Sequence, residues 1–147
     1  MNKVVVTVVG SQKDATGAES RIELVSEGKH YYKNGINYVL YSDSELSGVQ
    51  GTSTLLKIGD DHMTLIRKGD VMQEQYFARS YESTGIYKTP YGNLSLSVKT
   101  NNINIKYGSV SGTVIIDYAL SMEGQWQSDN LLHIEICADK KEKNQLN

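Results

Sequence analysis

The stretch LSLSVKT at residues 94–100 decides the fold class, because apolar and polar side chains alternate in it with a period of two. Successive side chains of a β-strand point to opposite faces, so the two leucines and Val98 would share one face. The alternation continues in INIKY at residues 103–107, after the pair Asn101 and Asn102, which predicts a turn between two strands. Together the two segments predict a β-hairpin with one apolar face.

Period-two alternation recurs along almost the whole chain, with turn signals at intervals of roughly 8–12 residues. Strands are predicted at residues 21–32, 36–42, 52–58, 62–68, 71–79 and 112–122, and in the last segment up to Ala138. Asn34-Gly35 suits a type I′ hairpin turn because both residues tolerate positive φ, and residues 42–48 are the most loop-like interior stretch. Many strands with one apolar face each predict a sheet that closes on itself. We therefore expect an all-β fold, a single meandering antiparallel barrel.

The length of 147 residues predicts one domain, residues 1–147, with a flexible and solvated tail from about residue 140. With a formal net charge of -2, the chain has no overall positive potential that would attract nucleic acid. No apolar stretch approaches the ~20 residues of a membrane span, and the apolar run before Gly10 is better explained as a strand than as a secretory signal. A single cysteine excludes an internal disulfide and fits a reducing compartment. We expect a cytoplasmic protein that binds neither nucleic acid nor membrane.

Motifs for catalysis or metal binding are weak. His30, His62 and His133 lie on separate segments with no shared spacing. His133 and Glu135 share a strand face, but that face is predicted to be the solvent side, because the apolar residues between and around them take the other. Cys137 stands beside no motif histidine and is predicted to be a small, part-buried residue rather than a nucleophile. We expect no enzymatic activity, no metal and no cofactor.

Arg67 is the most informative candidate for ligand contact. In the predicted strand 62–68 it shares a face with Met63 and Leu65, which would aim the guanidinium into the barrel. An inward arginine can hold a ligand carboxylate through a bidentate pair. It can equally close one end of the barrel by hydrogen-bonding strand carbonyls, and in the alternate register it would lie in solvent.

Ten tyrosines against one phenylalanine and one tryptophan are the unusual feature of the composition. Tyr38, Tyr107 and Tyr118 fall on predicted apolar rows, where each hydroxyl must find a partner or reach the rim. A cavity lined by tyrosines would suit an amphipathic ligand. The alternative for most of these residues is packing at the rim with the hydroxyl in water.

The motif YKTPYG at residues 87–92, read with LSLSVKT after it, resembles the Tyr-x-Thr-Pro-Tyr-Gly core of the YwiB-like family of bacterial proteins. EGKHYYKNG at residues 27–35, RKG at 67–69 and IDYAL at 116–120 are also similar to that family. The resemblance implies a calycin-type, lipocalin-like β-barrel, and it implies no particular activity. Calycins often hold a small apolar molecule in the barrel, so the implied fold favours ligand binding by analogy.

Pro90 makes residues 89–92 a rigid turn at a strand end, because it biases Thr89 towards an extended conformation and removes a backbone donor. One interpretation is a hairpin that sets the strand register. The other is a lip at the barrel mouth, in which Tyr87, Thr89 and Tyr91 present hydroxyl groups to a ligand.

Two functions from different classes follow from these observations. The first is non-catalytic binding of a small amphipathic or apolar molecule. Its candidate site residues are Arg67, Tyr87, Thr89, Tyr91, Tyr118 and Tyr38. The alternative is a protein-interaction module, a monomer or a homodimer, whose barrel is filled by its own side chains and which acts through a surface patch or a strand edge.

Overall fold

A computed structural model describes residues 1–43 and 52–139. The strands are β1 (Asn2–Asp14), β2 (Glu19–Lys33), β3 (Ile36–Asp43), β4 (Thr52–Ile58), β5 (His62–Lys68), β6 (Gln73–Ala78), β7 (Glu82–Thr89), β8 (Gly92–Tyr107), β9 (Gly112–Met122) and β10 (Gln125–Ala138). They form one antiparallel sheet in the order β6-β5-β4-β3-β2-β1-β10-β9-β8-β7. The all-β, antiparallel barrel prediction is confirmed. No helix in these two ranges has the length and apolarity needed to cross a membrane.

The sheet closes where its two outer strands, β6 and β7, meet. Met72 and Lys88 exchange two backbone hydrogen bonds of 2.9 Å each across this junction. The side-chain amide of Gln75 on β6 donates to the carbonyl oxygen of Ser83 on β7 at 3.4 Å. We call this junction the seam; it makes the barrel nearly closed.

The inward faces of the strands form one apolar core, because less and more accessible positions alternate along most of the strands. Asn34 and Gly35 have φ values of 52° and 81°, as the predicted type I′ turn requires. The largest completely buried apolar side chains are Val4, Val6, Val39, Leu56, Ile58, Met63, Val114, Ile116, Ile134 and Ile136. Val114 and Ile116 on β9, and Ile134 and Ile136 on β10, occupy the inner face, as expected for alternating strands over residues 112–122 and up to Ala138.

The predicted turn at Asn101 and Asn102 is wrong. β8 is one continuous strand of 16 residues, and Asn101 is a β-bulge: Thr100 pairs with Tyr118, and Asn102 pairs with the next residue of β9, Asp117. The extra residue moves the inward positions from even numbers to odd numbers, so that Ile103 is buried like Val98 before it. A bulge and a turn produce the same alternation on either side, which is why the pattern did not separate them.

Several further expectations are corrected or lie outside the described residues. β7 is an additional strand that the alternation pattern did not single out. Cys137 is exposed rather than part-buried, because it lies on the outer face of β10. Residues 44–48 of the predicted loop and the predicted tail at 140–147 lie outside the described ranges.

The strands bring their turns to two opposite ends of the barrel. We call one the Arg67 end, where the turns at residues 69–72, 90–91 and 123–124 lie. The other is the His30 end, where the turns at residues 34–35, 59–61 and 108–111 lie. Each end has its own concave site.

Candidate functional site

The barrel interior contains a cavity of about 180 Å³ towards the Arg67 end. Most of its wall is apolar, and a few polar side chains converge on it. The lining residues are Val8, Tyr41, Leu65, Arg67, Gln73, Gln75, Phe77, Leu96, Val98, Tyr118, Leu120, Leu132 and Ile134. An apolar cavity of roughly 150 Å³ in a protein core accepts a molecule of benzene size, so this cavity has room for a small ligand.

Arg67 points into the barrel, so the register with Met63 and Leu65 on the inner face is the correct one. Its Nε atom is buried. Arg67 pairs with Thr54 on one side and with Gln73 on the other, and Thr54 pairs in turn with Tyr41. Directly paired residues share a sheet face, so these four side chains form a polar row across β3 to β6.

Tyr118 faces Arg67 from the opposite wall, on β9. Its ring packs edge-to-face on Phe77, with the ring centroids 5.4 Å apart. Burial raises the pKa of Tyr118, and the positive charge of Arg67 partly opposes that rise. The phenol therefore stays protonated at neutral pH and can donate a hydrogen bond close to the guanidinium.

Two glutamines complete the polar part of the wall beside the seam. Gln75 is only 2% exposed, and the amide nitrogen of Gln73 donates to its Oε1 at 3.5 Å. Within residues 1–43 and 52–139, Arg67 is the single charged side chain that lines the cavity. The cavity thus combines one cation and several hydrogen-bonding groups with an apolar remainder, which suits an amphipathic molecule carrying a negative charge.

The predicted lip residues lie apart from this cavity. The Thr89 hydroxyl donates to the carbonyl oxygen of Gly92 at 2.8 Å and accepts from the backbone nitrogen of Tyr91 at 3.1 Å. Tyr91 is 100% exposed, and Tyr87 is part-buried on β7 without lining the cavity. These contacts favour the register-setting hairpin, and a ligand role for the three residues stays a prediction.

The inward placement predicted for Tyr38 is wrong. On β3 the buried positions are Asn37, Val39 and Tyr41, so Tyr38 lies on the outer face. There its ring stacks on Tyr31 at a centroid distance of 4.6 Å. The strand alternates so weakly that either row looked apolar, and tertiary packing selected the other one.

Sequence reasoning brought Arg67 and Tyr118 into the site but missed Tyr41 and both glutamines. Tyr41 lies two residues after Val39, so the opposite assignment of inner and outer rows on β3 would have found it. Gln75 has the polar signature of an outward residue, and no local pattern marks it as buried. Its position beside the seam follows from closure of the barrel.

The outer face holds the residues considered for metal binding. His133 and Glu135 both lie on the exposed side of β10, as predicted from the alternation. Cys137 follows on the same face, and its sulfur lies 3.2 Å from Glu135 Oε1. No group of three or more His, Cys, Asp or Glu side chains suited to a metal ion occurs within residues 1–43 and 52–139.

A nearly closed antiparallel barrel with a small polar and apolar cavity at the Arg67 end defines the structural class, and comparison with known proteins places it in a family. The chain belongs to the family described as "Domain of unknown function (DUF1934)", whose profile matches residues 6–134. The resemblance inferred from YKTPYG is thereby confirmed.

Two comparisons with Bacillus subtilis agree with this assignment. The "Uncharacterized beta-barrel protein YwiB" of strain 168 is 26% identical over 103 residues, which are 69% of this chain and 70% of the relative. The crystal structure of the ywiB protein from Bacillus subtilis matches the fold with a TM-score of 0.81 at 21% identity. That match covers 94% of this chain and 92% of the other.

Proposed function

We propose that this protein is a non-catalytic, cytoplasmic binding protein for a small amphipathic carboxylate, held in the cavity at the Arg67 end. The observation that carries the proposal is Arg67 itself: its guanidinium, with a buried Nε atom, faces a cavity whose other described lining residues are uncharged and mostly apolar. A planar guanidinium pairs with a carboxylate through two parallel hydrogen bonds, so it supplies both energy and orientation.

The dimensions of the cavity limit the ligand. A volume of about 180 Å³ accommodates a body of about one ring or a short chain, and not a long fatty acyl chain. Leu65, Val98 and Leu132 would cover that body, while the acid group meets Arg67 and the Tyr118 hydroxyl. The ligand class is therefore a monocarboxylic acid with a compact apolar part.

The chemistry of the wall supports binding rather than turnover. Among the residues that the structure describes, the cavity lining includes no serine, cysteine, histidine, aspartate or glutamate. Acyl or proton transfer needs a nucleophile or a base within hydrogen-bond reach of the reacting atom. Tyr118, whose pKa is raised, remains protonated and is suited to donating a hydrogen bond.

Benzoate and benzyl alcohol test the proposal, because they have nearly the same shape and differ in charge. Isothermal titration calorimetry should show that benzoate binds with an affinity at least tenfold higher than that of benzyl alcohol. A charge-assisted hydrogen bond contributes about 1.5–3 kcal/mol to such a difference. Arg67→Met should abolish the preference while the cavity remains apolar. Arg21→Met, an exposed arginine on the outside of β2, is the matched control and should behave like wild type.

Native mass spectrometry of protein purified gently from its own bacterium would identify the natural ligand. A small acidic adduct that is lost on denaturation and in Arg67→Met is the expected result. No response to either probe, together with an adduct-free dimer, would contradict ligand binding and favour the protein-interaction module instead.

A further inference from the structure

The His30 end of the barrel holds a second concave site, a depression of about 620 Å³. It lies where the turns after β2, β4 and β8 meet, and its volume is in the range of small-molecule sites. It is lined by Tyr32, Gly35, Asn37, Gly59, Asp60, Ile105, Tyr107, Gly108 and Ser109.

The depression does not communicate with the cavity through its lining, since the two share no residue. The inward residues of β3 show the separation directly. Asn37 lines the depression and Tyr41 lines the cavity, while Val39 between them is completely buried. The two sites are therefore independent.

A hydrogen-bonded chain holds Asn37 in place. Asn2 Nδ2 lies 3.1 Å from His30 Nδ1, and His30 Nε2 lies 2.9 Å from Asn37 Oδ1. Because the Asn2 amide nitrogen can only donate, His30 Nδ1 accepts and His30 Nε2 donates to Asn37. The Asn37 side chain is oriented by a histidine that is 1% exposed, and its amide nitrogen has no hydrogen bond within the described residues. This nitrogen is an oriented donor available to a ligand.

Two tyrosines border the same depression. Tyr32 pairs across the strands with Asn37, so the two side chains share a face, and Tyr32 is 64% exposed. Tyr107 stacks on His30 at a centroid distance of 5.7 Å, and its hydroxyl donates to the Val110 carbonyl oxygen at 2.8 Å. One aromatic side chain is thus accessible and the other is rigidly held.

Asp60 is the one charged side chain among the described residues that line the depression, and it is exposed at the rim. Its carboxylate can accept two hydrogen bonds from adjacent hydroxyl groups of a ligand. Gly35 and Gly108 are exposed at the rim, whereas Gly59 is buried and the His62 ring packs against it. The depression therefore offers a carboxylate acceptor, an amide donor and an aromatic surface, and its charge is opposite in sign to that of the Arg67 cavity.

We propose that the depression at the His30 end binds a neutral sugar ring. The Tyr32 ring would pack on the C–H face of the sugar, Asp60 would accept from two adjacent hydroxyls, and Asn37 would donate to a hydroxyl or ring oxygen. A negative rim disfavours phosphorylated and carboxylated ligands. This proposal does not depend on ligand binding at Arg67.

Titrations of the ¹⁵N-labelled full chain with methyl α-glucopyranoside, methyl α-mannopyranoside and methyl β-galactopyranoside test it by NMR. At least one glycoside should bind with a millimolar dissociation constant and shift the amides of Gly35, Gly59 and Gly108. Tyr32→Ala and Asp60→Asn should each weaken that binding by about tenfold. Both residues are exposed, so both variants should fold.

Tyr91→Ala and Asp70→Asn are matched controls, because both residues are exposed in turns at the Arg67 end. Equal loss of binding in the controls, or no shift at the three glycine amides with any glycoside, would overturn the proposal. Glucosamine provides a cationic comparison, and binding of glucosamine alone would mean a cation site. Maltotriose separates the two sources of a sugar ring: tighter binding than the glucoside indicates the end of an oligosaccharide, and equal binding indicates a free monosaccharide.

Discussion

Met72 and Lys88 exchange two backbone hydrogen bonds of 2.9 Å, and this bridge joins the two outer strands of the sheet. The contrast with the centre of the sheet is large, since β1 and β10 pair continuously from Val4–Ala138 to Asp14–Ser128. The seam is therefore the weakest line in the described barrel. It also passes beside Gln73 and Gln75, which line the Arg67 cavity.

Hydrogen exchange should reveal the seam directly. We expect the amides of Met72 and Lys88 to exchange through a local opening, faster than the amides of Val6 and Ile136, because few backbone bonds must break at the seam. Exchange of the β1 and β10 amides should follow global unfolding. Equal protection at both places would show that the barrel opens as one cooperative unit.

Gly112→Ala should destabilise the protein by about 1–3 kcal/mol. A Cβ at Gly112 would lie 2.4 Å from Tyr107 Cδ2 and 2.8 Å from the Lys106 carbonyl oxygen. The Tyr107 ring would therefore have to move from its packed position. Gly10→Ala is the matched control, because nothing lies within 4 Å of its Cβ. Chemical denaturation should place the control within about 0.5 kcal/mol of wild type. Equal effects of the two substitutions would contradict the packing of Tyr107 against Gly112.

Stability should fall as the pH rises above about 10. Burial raises the pKa values of Tyr107 and Tyr118, so above the ordinary tyrosine pKa the unfolded chain loses protons that the folded chain still holds. The unfolded state is then favoured progressively with pH. Thermal unfolding at neutral and alkaline pH should show this fall, and Tyr107→Phe should make it shallower.

Tyr107→Phe also loses the hydrogen bond to the Val110 carbonyl, at a cost of about 1 kcal/mol at neutral pH. The slope with pH, and not the starting value, is therefore the relevant comparison. Tyr91→Phe removes a completely exposed hydroxyl and should leave the slope unchanged. A slope that changes equally in both variants would assign the alkaline effect to general charge repulsion.

Deletion of Asn101 should yield a folded protein, with a loss below about 2 kcal/mol. Without the bulge, Thr100 and Asn102 would still pair with Tyr118 and Asp117, and every inward residue of β8 would keep its face. Deletion of Ser97, on the same strand, should abolish folding, because part of β8 would turn its core side chains outward. Circular dichroism and thermal unfolding would compare the folding and stability of the two deletion variants. Unfolding of the Asn101 deletion would mean that the barrel needs the bend that the bulge provides.

Much of the fold was predictable from local patterns. The bounds at Thr52–Ile58, His62–Lys68 and Gly112–Met122 match the alternation residue for residue, because one face of each strand is buried and the other is not. The turn at Asn34 and Gly35 was predictable because few other residue pairs tolerate positive φ. The weak alternation of β3 left Tyr38 on the wrong face.

The two candidate sites differ in how far the sequence anticipated them. Arg67 lies on the same strand face as Met63 and Leu65, because the three are every second residue of β5. A strand in a barrel buries its apolar face, so this spacing indicated an inward guanidinium. The His30–Asn37 hydrogen bond could not be predicted from the sequence, because hydrogen bonds between side chains on neighbouring strands depend on the strand register.

Local alternation and turn chemistry by themselves determined that this chain forms antiparallel strands with one buried face. They determined it because strand geometry has a fixed period and the hydrophobic effect selects one side of it. Only the tertiary structure decided where Asn101 bulges, which strands meet at Met72 and Lys88, and which side chains converge at the two ends. Those features depend on closing the sheet, and closure brings together residues whose separation along the chain carries no local signal.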